Sequence, residues 1–322
     1  MMRSLLLWLS TRQSIFNFMR TNRLARKFAS RFVAGETIAD AVAAASDLHQ
    51  RGITASLDML GESVSQPAEA ERARDTYIAI LDAMRAAQIE VNVSVKLTQM
   101  GFDVDEPLCR RNVATILDHA RELDGFVRLD MEGSPYTQRT LDFFNQNLVA
   151  SYRANAGVVI QAALRRSATD IPDLIAAGVR VRLCKGAYLE KPEIAFPDKR
   201  DVDAQYIRLM EQLLTGGNYP GIATHDEKII AHARDFVATS GIARDRFEFQ
   251  MLYGVRRDLQ EQLARDGYRI RVYIPFGTQW YPYLLRRLAE RPANIVFILG
   301  NIAKERSGSR APRVAGKGSS GT

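Results

Sequence analysis

Beyond Gly35 the chain alternates short apolar runs with longer amphipathic stretches. Residues 53–58, 91–97, 126–130, 157–161, 179–185, 222–225, 247–251 and 269–274 are short, rich in β-branched or aromatic side chains, and read as strands. Between them, stretches such as 68–87 and 108–123 repeat their apolar positions at helical spacing, and Thr37 suits the cap of a helix running to His49. Pro275 and Gly277 break the last strand, Thr278 is placed to cap a helix, and a 3.6-residue period begins at Tyr281. Strands that alternate with helices pair in parallel, because each crossover returns the chain to the same end of the sheet. Eight such units predict a (β/α)8 TIM-type barrel over residues 36–300 rather than an open doubly wound sheet. Residues 1–35 read as an N-terminal helical segment, with Leu5, Leu6, Leu9, Ile15, Phe16 and Met19 at helical spacing. Residues 301–322 read as a flexible basic tail.

Composition narrows the class. With 322 residues, 46% hydrophobic and 25% charged, the chain can bury one large core. It has no apolar run of the ~18 residues a membrane span needs. Leu5 to Leu9 is short even for a signal peptide, and no small-residue cleavage site follows it. Cys109 and Cys184 give no disulfide framework, which agrees with a reducing cytoplasm. The net charge of +7 gathers partly at the ends, in Arg20, Arg23, Arg26, Lys27 and Arg31 and in Lys304, Arg306, Arg310, Arg313 and Lys317. No helix-turn-helix, zinc-finger or RNA-recognition pattern accompanies it, so no nucleic-acid partner is expected. The N-terminal helix packs on the fold by default; an anionic bilayer is its second use.

Several chemistries find no support. No G-x-G-x-x-G follows a predicted strand, no Walker A sequence occurs, and no G-x-S-x-G elbow is present. The four histidines lack metal-ligand spacing, and Cys184 reads as buried filler. What stands out is the polar set at the predicted strand ends: Asp58, Lys96, Asp130, Gln161, Arg182 with Lys185, Thr224 with His225, Gln250 and Tyr273. Barrel enzymes assemble their sites at that rim. Asp58, taken alone, reads as a loop-facing cap. In the last helix Tyr283, Arg286, Arg287 and Glu290 share one face, and Leu284, Leu285 and Leu288 the other. Two neighbouring guanidiniums suit a carboxylate or phosphate, which they grip in a planar fork.

Residues 273–294 closely resemble the C-terminal signature of the proline dehydrogenase family, flavoenzymes that oxidise L-proline to Δ1-pyrroline-5-carboxylate. The likeness runs from about Ala34 to Leu299. Its markers are Ser94-Val95-Lys96-Leu97, Arg128-Leu129-Asp130-Met131-Glu132, Arg182-Leu183-Cys184-Lys185-Gly186-Ala187-Tyr188, Ala223-Thr224-His225-Asp226, Phe249-Gln250-Met251-Leu252-Tyr253-Gly254 and the closing helix. The resemblance implies a barrel with noncovalent FAD at its C-terminal mouth and the last helix placed over that mouth. Lys96, Arg286 and Arg287 would hold the proline carboxylate, and Asp130 would balance them. Tyr188, Tyr273 and Tyr283 would pack against the pyrrolidine ring, with Leu183 beside them. Arg182 would stabilise negative charge at the flavin N5–O4 edge. Met131, Gln161, the Lys185-Gly186-Ala187 turn, Thr224, His225 and Gln250 would contact the flavin, its ribityl chain or its phosphates.

The expected reaction is hydride transfer from proline C5 to flavin N5, with electrons passed to a membrane quinone from the inner face of the membrane. The larger bifunctional relatives append an aldehyde dehydrogenase module for which this chain has no room. Its product would therefore pass to a separate pyrroline-5-carboxylate dehydrogenase. Two other readings stand beside this one. A barrel lyase or aldolase would form a Schiff base on a small carboxylate through Lys96 or Lys185, and a basic interaction protein would bind anionic lipid or nucleic acid through its ends.

Overall fold

The computed structural model describes residues 30–188, 190–281 and 283. The rest of the N-terminal segment, the helix face carrying Arg286 and Arg287, and the basic tail lie outside the described residues. By contacts the chain divides into two compact units; Asn22–Trp280 is one, and Tyr281 and Tyr283 belong to the other.

Within the first unit the order is α1 (Ile38–Gln50), β1 (Thr54–Met59), α2 (Pro67–Ala86), β2 (Asn92–Val95), α3 (Glu106–Glu122) and β3 (Phe126–Leu129). Then come α4 (Ser134–Asn147), α5 (Val149–Tyr152), β4 (Ala156–Gln161), α6 (Ser167–Ala176), β5 (Arg180–Cys184) and α7 (Lys199–Gly216). The unit continues with β6 (Gly221–Ala223), α8 (Glu227–Thr239), β7 (Glu248–Leu252), α9 (Arg257–Arg265) and β8 (Ile270–Phe276). All neighbouring strands are parallel in the order β1 to β8, and β8 closes on β1 from Thr54↔Arg271 to Met59↔Phe276. The expected eight-stranded (β/α)8 barrel is the observed fold.

Local chemistry sets the element ends. Thr37 caps α1 as expected: its hydroxyl accepts from the Asp40 amide at 3.1 Å, and the Asp40 carboxylate accepts from the Thr37 amide at 3.0 Å. Asp105 caps α3, which begins at Glu106, two residues ahead of the expected Leu108; its carboxylate accepts from the Leu108 amide at 3.0 Å. β2 stops at Val95 because the Lys96 carbonyl already accepts from Gln99 and Met100 in a turn. β6 stops at Ala223 because the Thr224 hydroxyl takes the Asp226 amide at 3.1 Å, and Asp226 then caps α8.

One expectation is overturned: Pro275 does not break β8, which continues through it to Phe276. The last β7–β8 pair is Leu252 with Tyr273, so no ladder bond calls for the missing proline N–H. The Pro275 carbonyl instead accepts from the Ala34 amide at 3.0 Å.

The barrel has an apolar outside and a polar inside. Val93, Val127, Leu129, Val158, Val181, Phe249 and Val272 are buried in one core with Tyr77, Ile80, Ile116, Tyr206 and Leu209 from the helices. Each such side chain contributes about 1.5–3 kcal/mol on burial. Alternation along each strand turns the intervening positions inward. Barrel interiors are ordinarily filled by branched apolar residues; here Arg128, Arg182, Glu248, Gln250 and Arg271 are all 6% exposed or less. Arg182, Glu248, Gln250 and Arg271 persist because they are paired, and Arg128 donates to the Val158 and Arg180 carbonyls at 3.3 and 2.7 Å. Arg271 donates to both Glu248 oxygens at 2.8 and 3.0 Å, to Glu90 at 2.7 Å and to the Ala55 carbonyl at 2.9 Å. Burial opposes the Glu248 charge, but Arg271 and the Gln250 amide outweigh it and hold the carboxyl at about 2.

Candidate active site

At the C-terminal ends of β1, β2, β3, β5, β7 and β8 the inward side chains meet. Asp130, one residue past β3, accepts from Arg182 Nη1 at 2.8 Å and from the Tyr273 hydroxyl at 2.7 Å, and the Lys96 ammonium lies 3.9 Å away. Arg182 is held at three corners, since it also donates from Nε to Gln250 at 2.5 Å and from Nη2 to the Ser94 hydroxyl at 3.2 Å. Its guanidinium lies 5.2 Å from the Tyr273 ring centroid. A cation fixed in this way reorganises little when charge develops beside it.

Lys96 follows β2 and donates to Asp58 at 2.7 Å. Burial works against its charge, yet Asp58 and Asp130 more than offset burial and raise the ammonium's pKa above the ordinary lysine value. Asp58 is 1% exposed. Burial, then the neighbouring Asp130 charge, pushes its carboxyl up, while Lys96 pulls it down. Its Oδ2 is buried with no hydrogen-bond partner among the described residues. Asp58 is therefore not the loop-facing cap that local sequence suggested. The Tyr273 hydroxyl, buried and facing Asp130 and Asp58, has its pKa raised well above ten.

The outer half of the mouth is built on loops. Gln161, at the end of β4, donates to the Glu132 carbonyl at 2.9 Å and to that of Met131 at 3.4 Å. Gly186 has a φ of +107°, and a Cβ there would stand 2.9 Å from Gln161 Oε1, so only glycine fits that approach. Lys185 donates to Asp203 at 2.5 Å and to Asp226 at 2.9 Å, tying the loop after β5 to α7 and α8. His225 Nε2 accepts from the Leu252 amide at 2.9 Å, which fixes it as the unprotonated nitrogen. The Glu190 carboxylate accepts from the Ser134 amide at 2.8 Å and from its hydroxyl at 2.5 Å, joining the loops after β3 and β5 beside Tyr188.

Of the residues expected from sequence, Lys96, Asp130, Arg182, Gln250 and Tyr273 form one bonded cluster. Gln161 bonds the Met131 carbonyl with Gly186 packed against it, and Thr224, His225, Lys185 and Ala187 lie on adjoining loops. Leu183 is fully buried in the core, and Tyr188 is 38% exposed. Tyr283 belongs to the other unit, and Arg286 and Arg287 lie outside the described residues. Sequence reasoning gave no role to Ser94 or to the Thr98–Glu132 pair, in which the buried Glu132 accepts from the Thr98 hydroxyl at 2.6 Å. Their signal was present only as polar residues between apolar ones near the ends of β2 and β3.

A closed parallel barrel whose charged side chains converge at the C-terminal ends of its strands is an enzyme scaffold. Comparison with known proteins gives the family. The model described as proline dehydrogenase matches residues 41–298. The chain is 44% identical over 293 residues to a proline dehydrogenase of Deinococcus radiodurans, covering 88% of this chain and 94% of that one. It is 40% identical over 300 residues to proline dehydrogenase 1 of Bacillus subtilis, covering 90% and 99%. The crystal structure of proline utilization A (PutA) from Bdellovibrio bacteriovorus inactivated by N-propargylglycine superposes with a TM-score of 0.76 at 26% identity. That match covers 82% of this chain but 32% of the PutA chain, so the chain spans about a third of that relative. The chain belongs to the proline dehydrogenase family.

Proposed function

We propose that this protein oxidises L-proline to Δ1-pyrroline-5-carboxylate with FAD held at the barrel mouth, and that it passes the electrons to a membrane quinone. The observation that carries the reading is the cluster of Lys96, Asp130, Arg182 and Tyr273 at the mouth of a family barrel.

The residues present fit a flavin nucleotide. Gly186 keeps clear the space a Cβ would fill, which suits close backbone approach to a cofactor. Gln161 lies against Gly186, and the family resemblance would add Met131, Lys185, Ala187, Thr224, His225 and Gln250 as contacts of the same cofactor. When bound, FAD accepts the hydride that leaves proline C5. Arg182 supplies a fixed positive charge for the negative charge that hydride transfer delivers. Lys96, Arg286 and Arg287 take the substrate carboxylate. Asp58 and Asp130 against Lys96 and Arg182 already sum to zero, so a further anion calls for further cations. Tyr273, Tyr188 and Tyr283 give the pyrrolidine ring apolar walls, whereas Leu183, turned outward into the core, takes no part in them. The clamp fixes which ring carbon faces the cofactor.

Schiff-base chemistry is disfavoured. An attacking amine must be neutral, whereas Lys96 lies 2.7 Å from Asp58 and Lys185 is held between Asp203 and Asp226. Among the described residues no helix is long and apolar enough to cross a membrane, and the reading places the protein in the cytoplasm with peripheral membrane contact. The product passes to a separate pyrroline-5-carboxylate dehydrogenase.

The purified protein tests this. A yellow preparation whose flavin bands bleach anaerobically on adding L-proline supports the proposal. A protein that binds no FAD, or whose bound FAD L-proline leaves oxidised, refutes it.

A further inference from the structure

The opposite end of the barrel carries an open cavity of about 560 Å³. It lies where β2, β5, β6 and β8 begin, a barrel's length from Lys96 and Asp130, and its lining includes Glu90, Arg180, Asn218, Tyr219, Arg269 and Arg271. Its charges do not balance. The ion pairs of Glu90 and the buried Glu248 are with Arg271, and Glu248 also accepts from the Tyr219 hydroxyl at 3.3 Å. Arg180 and Arg269 form no ion pair with any described residue, and neither does Arg128 just behind them; Asp245 and Glu248 act on Arg269, and Glu248 and Glu90 on Arg180, only from beyond ion-pair distance.

These cations are ordered by aromatic rings instead. Arg180 stacks 4.6 Å from the Tyr219 centroid and 4.3 Å from that of Phe126. Arg269 lies 5.5 Å from the same Tyr219 centroid and donates to its hydroxyl at 3.2 Å. Arg128 approaches Phe126 to 4.7 Å and donates to the Arg180 carbonyl at 2.7 Å. Stacking satisfies the face of a guanidinium but leaves its N–H edge. The Nε atoms of both Arg180 and Arg128 are buried without an acceptor among the described residues. Burial lowers the pKa of Arg180 and Arg128, and for Arg128 the nearby Arg182 and Arg180 add to it. Tyr219 meanwhile holds a φ of +46°, a left-handed conformation that tyrosine rarely adopts. A half-buried Arg180 and an exposed Arg269, backed by the buried Arg128 and Arg271 and with too few carboxylates between them, have the composition of an oxyanion site.

We propose that the N-terminal end of the barrel is a second ligand site, in which Arg180 and Arg269, ordered on the Tyr219 ring, bind a phosphate or carboxylate group. The site is remote from the mouth, and its ligand is not the proline substrate. If instead these arginines only plug the barrel, no anion binds there.

Calorimetry on the flavin-loaded full-length protein decides, with inorganic phosphate and succinate titrated separately in chloride-matched buffer. One ion is expected to bind saturably, and the tighter of the two identifies a phosphate or a carboxylate source. Arg180→Met and, in the exposed position, Arg269→Ala should each weaken it about tenfold or more, as loss of a charge-assisted hydrogen bond implies. Arg269→Ala leaves the buried residues untouched, so it remains informative if Arg180→Met folds poorly. Absence of saturable binding, or equal binding by wild type and Arg269→Ala, overturns the proposal.

Discussion

Asp130→Asn isolates the charge at the centre of the mouth. The asparagine keeps the size and one acceptor, so the bond from Arg182, 2.8 Å in the wild type, can survive as a neutral-acceptor bond. What disappears is the negative charge that Arg182 and Lys96 share, and the acceptor for the Tyr273 hydroxyl, now 2.7 Å away. Breaking a buried charge pair from one side costs about 3–5 kcal/mol. The raised Asp58 carboxyl gains something back when its like-charged neighbour goes. The net loss should sit at the lower end, about 3 kcal/mol, or a folding equilibrium weakened about 150-fold. Urea denaturation reads it as a lower midpoint at unchanged slope. Adding Arg182→Met to Asp130→Asn should cost less than the sum of the single changes, with a coupling of about 1 kcal/mol or more. A single variant within about 0.5 kcal/mol of wild type, the range of ordinary surface changes, would show that the cluster carries no such energy.

Other expectations follow from neighbouring groups. Glu248 is held at about 2 against an ordinary 4.5, so its contribution is present above pH ~4.5 and lost as the pH falls towards ~2. The depression corresponds to about 3 kcal/mol, and Glu248→Gln should lower stability at pH 7 while flattening its acid dependence in denaturation series. Gly186→Ala places a methyl 2.9 Å from Gln161 Oε1 at a φ of +107°; flavin bound per chain should fall, with a stability loss of about 1–3 kcal/mol. Flavin content equal to wild type would remove Gly186 from the cofactor site. Arg287→Met should weaken proline binding with little change in flavin content, and unchanged proline affinity would strip it of the assigned role.

Much of the barrel was legible because the strands are short and punctuated, and because polar residues ended each of them. Arg182 and Gln250 could be placed at the mouth on that ground alone. Pro275 was misjudged because a proline usually ends a strand, and only the register reveals that its N–H would have had no partner. Asp58 was misjudged for a different reason: its partner Lys96 is 38 residues away, and a local reading sees only a carboxylate at a strand end. The alternation Arg180-Val181-Arg182-Leu183 reads equally well as a strand with one face in water. Closure of the barrel turns that polar face into an interior, where Arg182 must be paired and Arg180 finds aromatic rings. Nothing local reports closure.

Lys96, together with Arg286 and Arg287, is assigned to grip an incoming carboxylate at the mouth of the barrel. Anaerobic stopped-flow reduction of the bound flavin by L-proline, compared between wild type and Lys96→Met, tests it most directly. Loss of one charge-assisted contact of about 1.5–3 kcal/mol should raise the half-saturating proline concentration roughly ten- to a hundredfold, with flavin still bound. Half-saturation unchanged in the variant, with flavin reduced as in wild type, would contradict it.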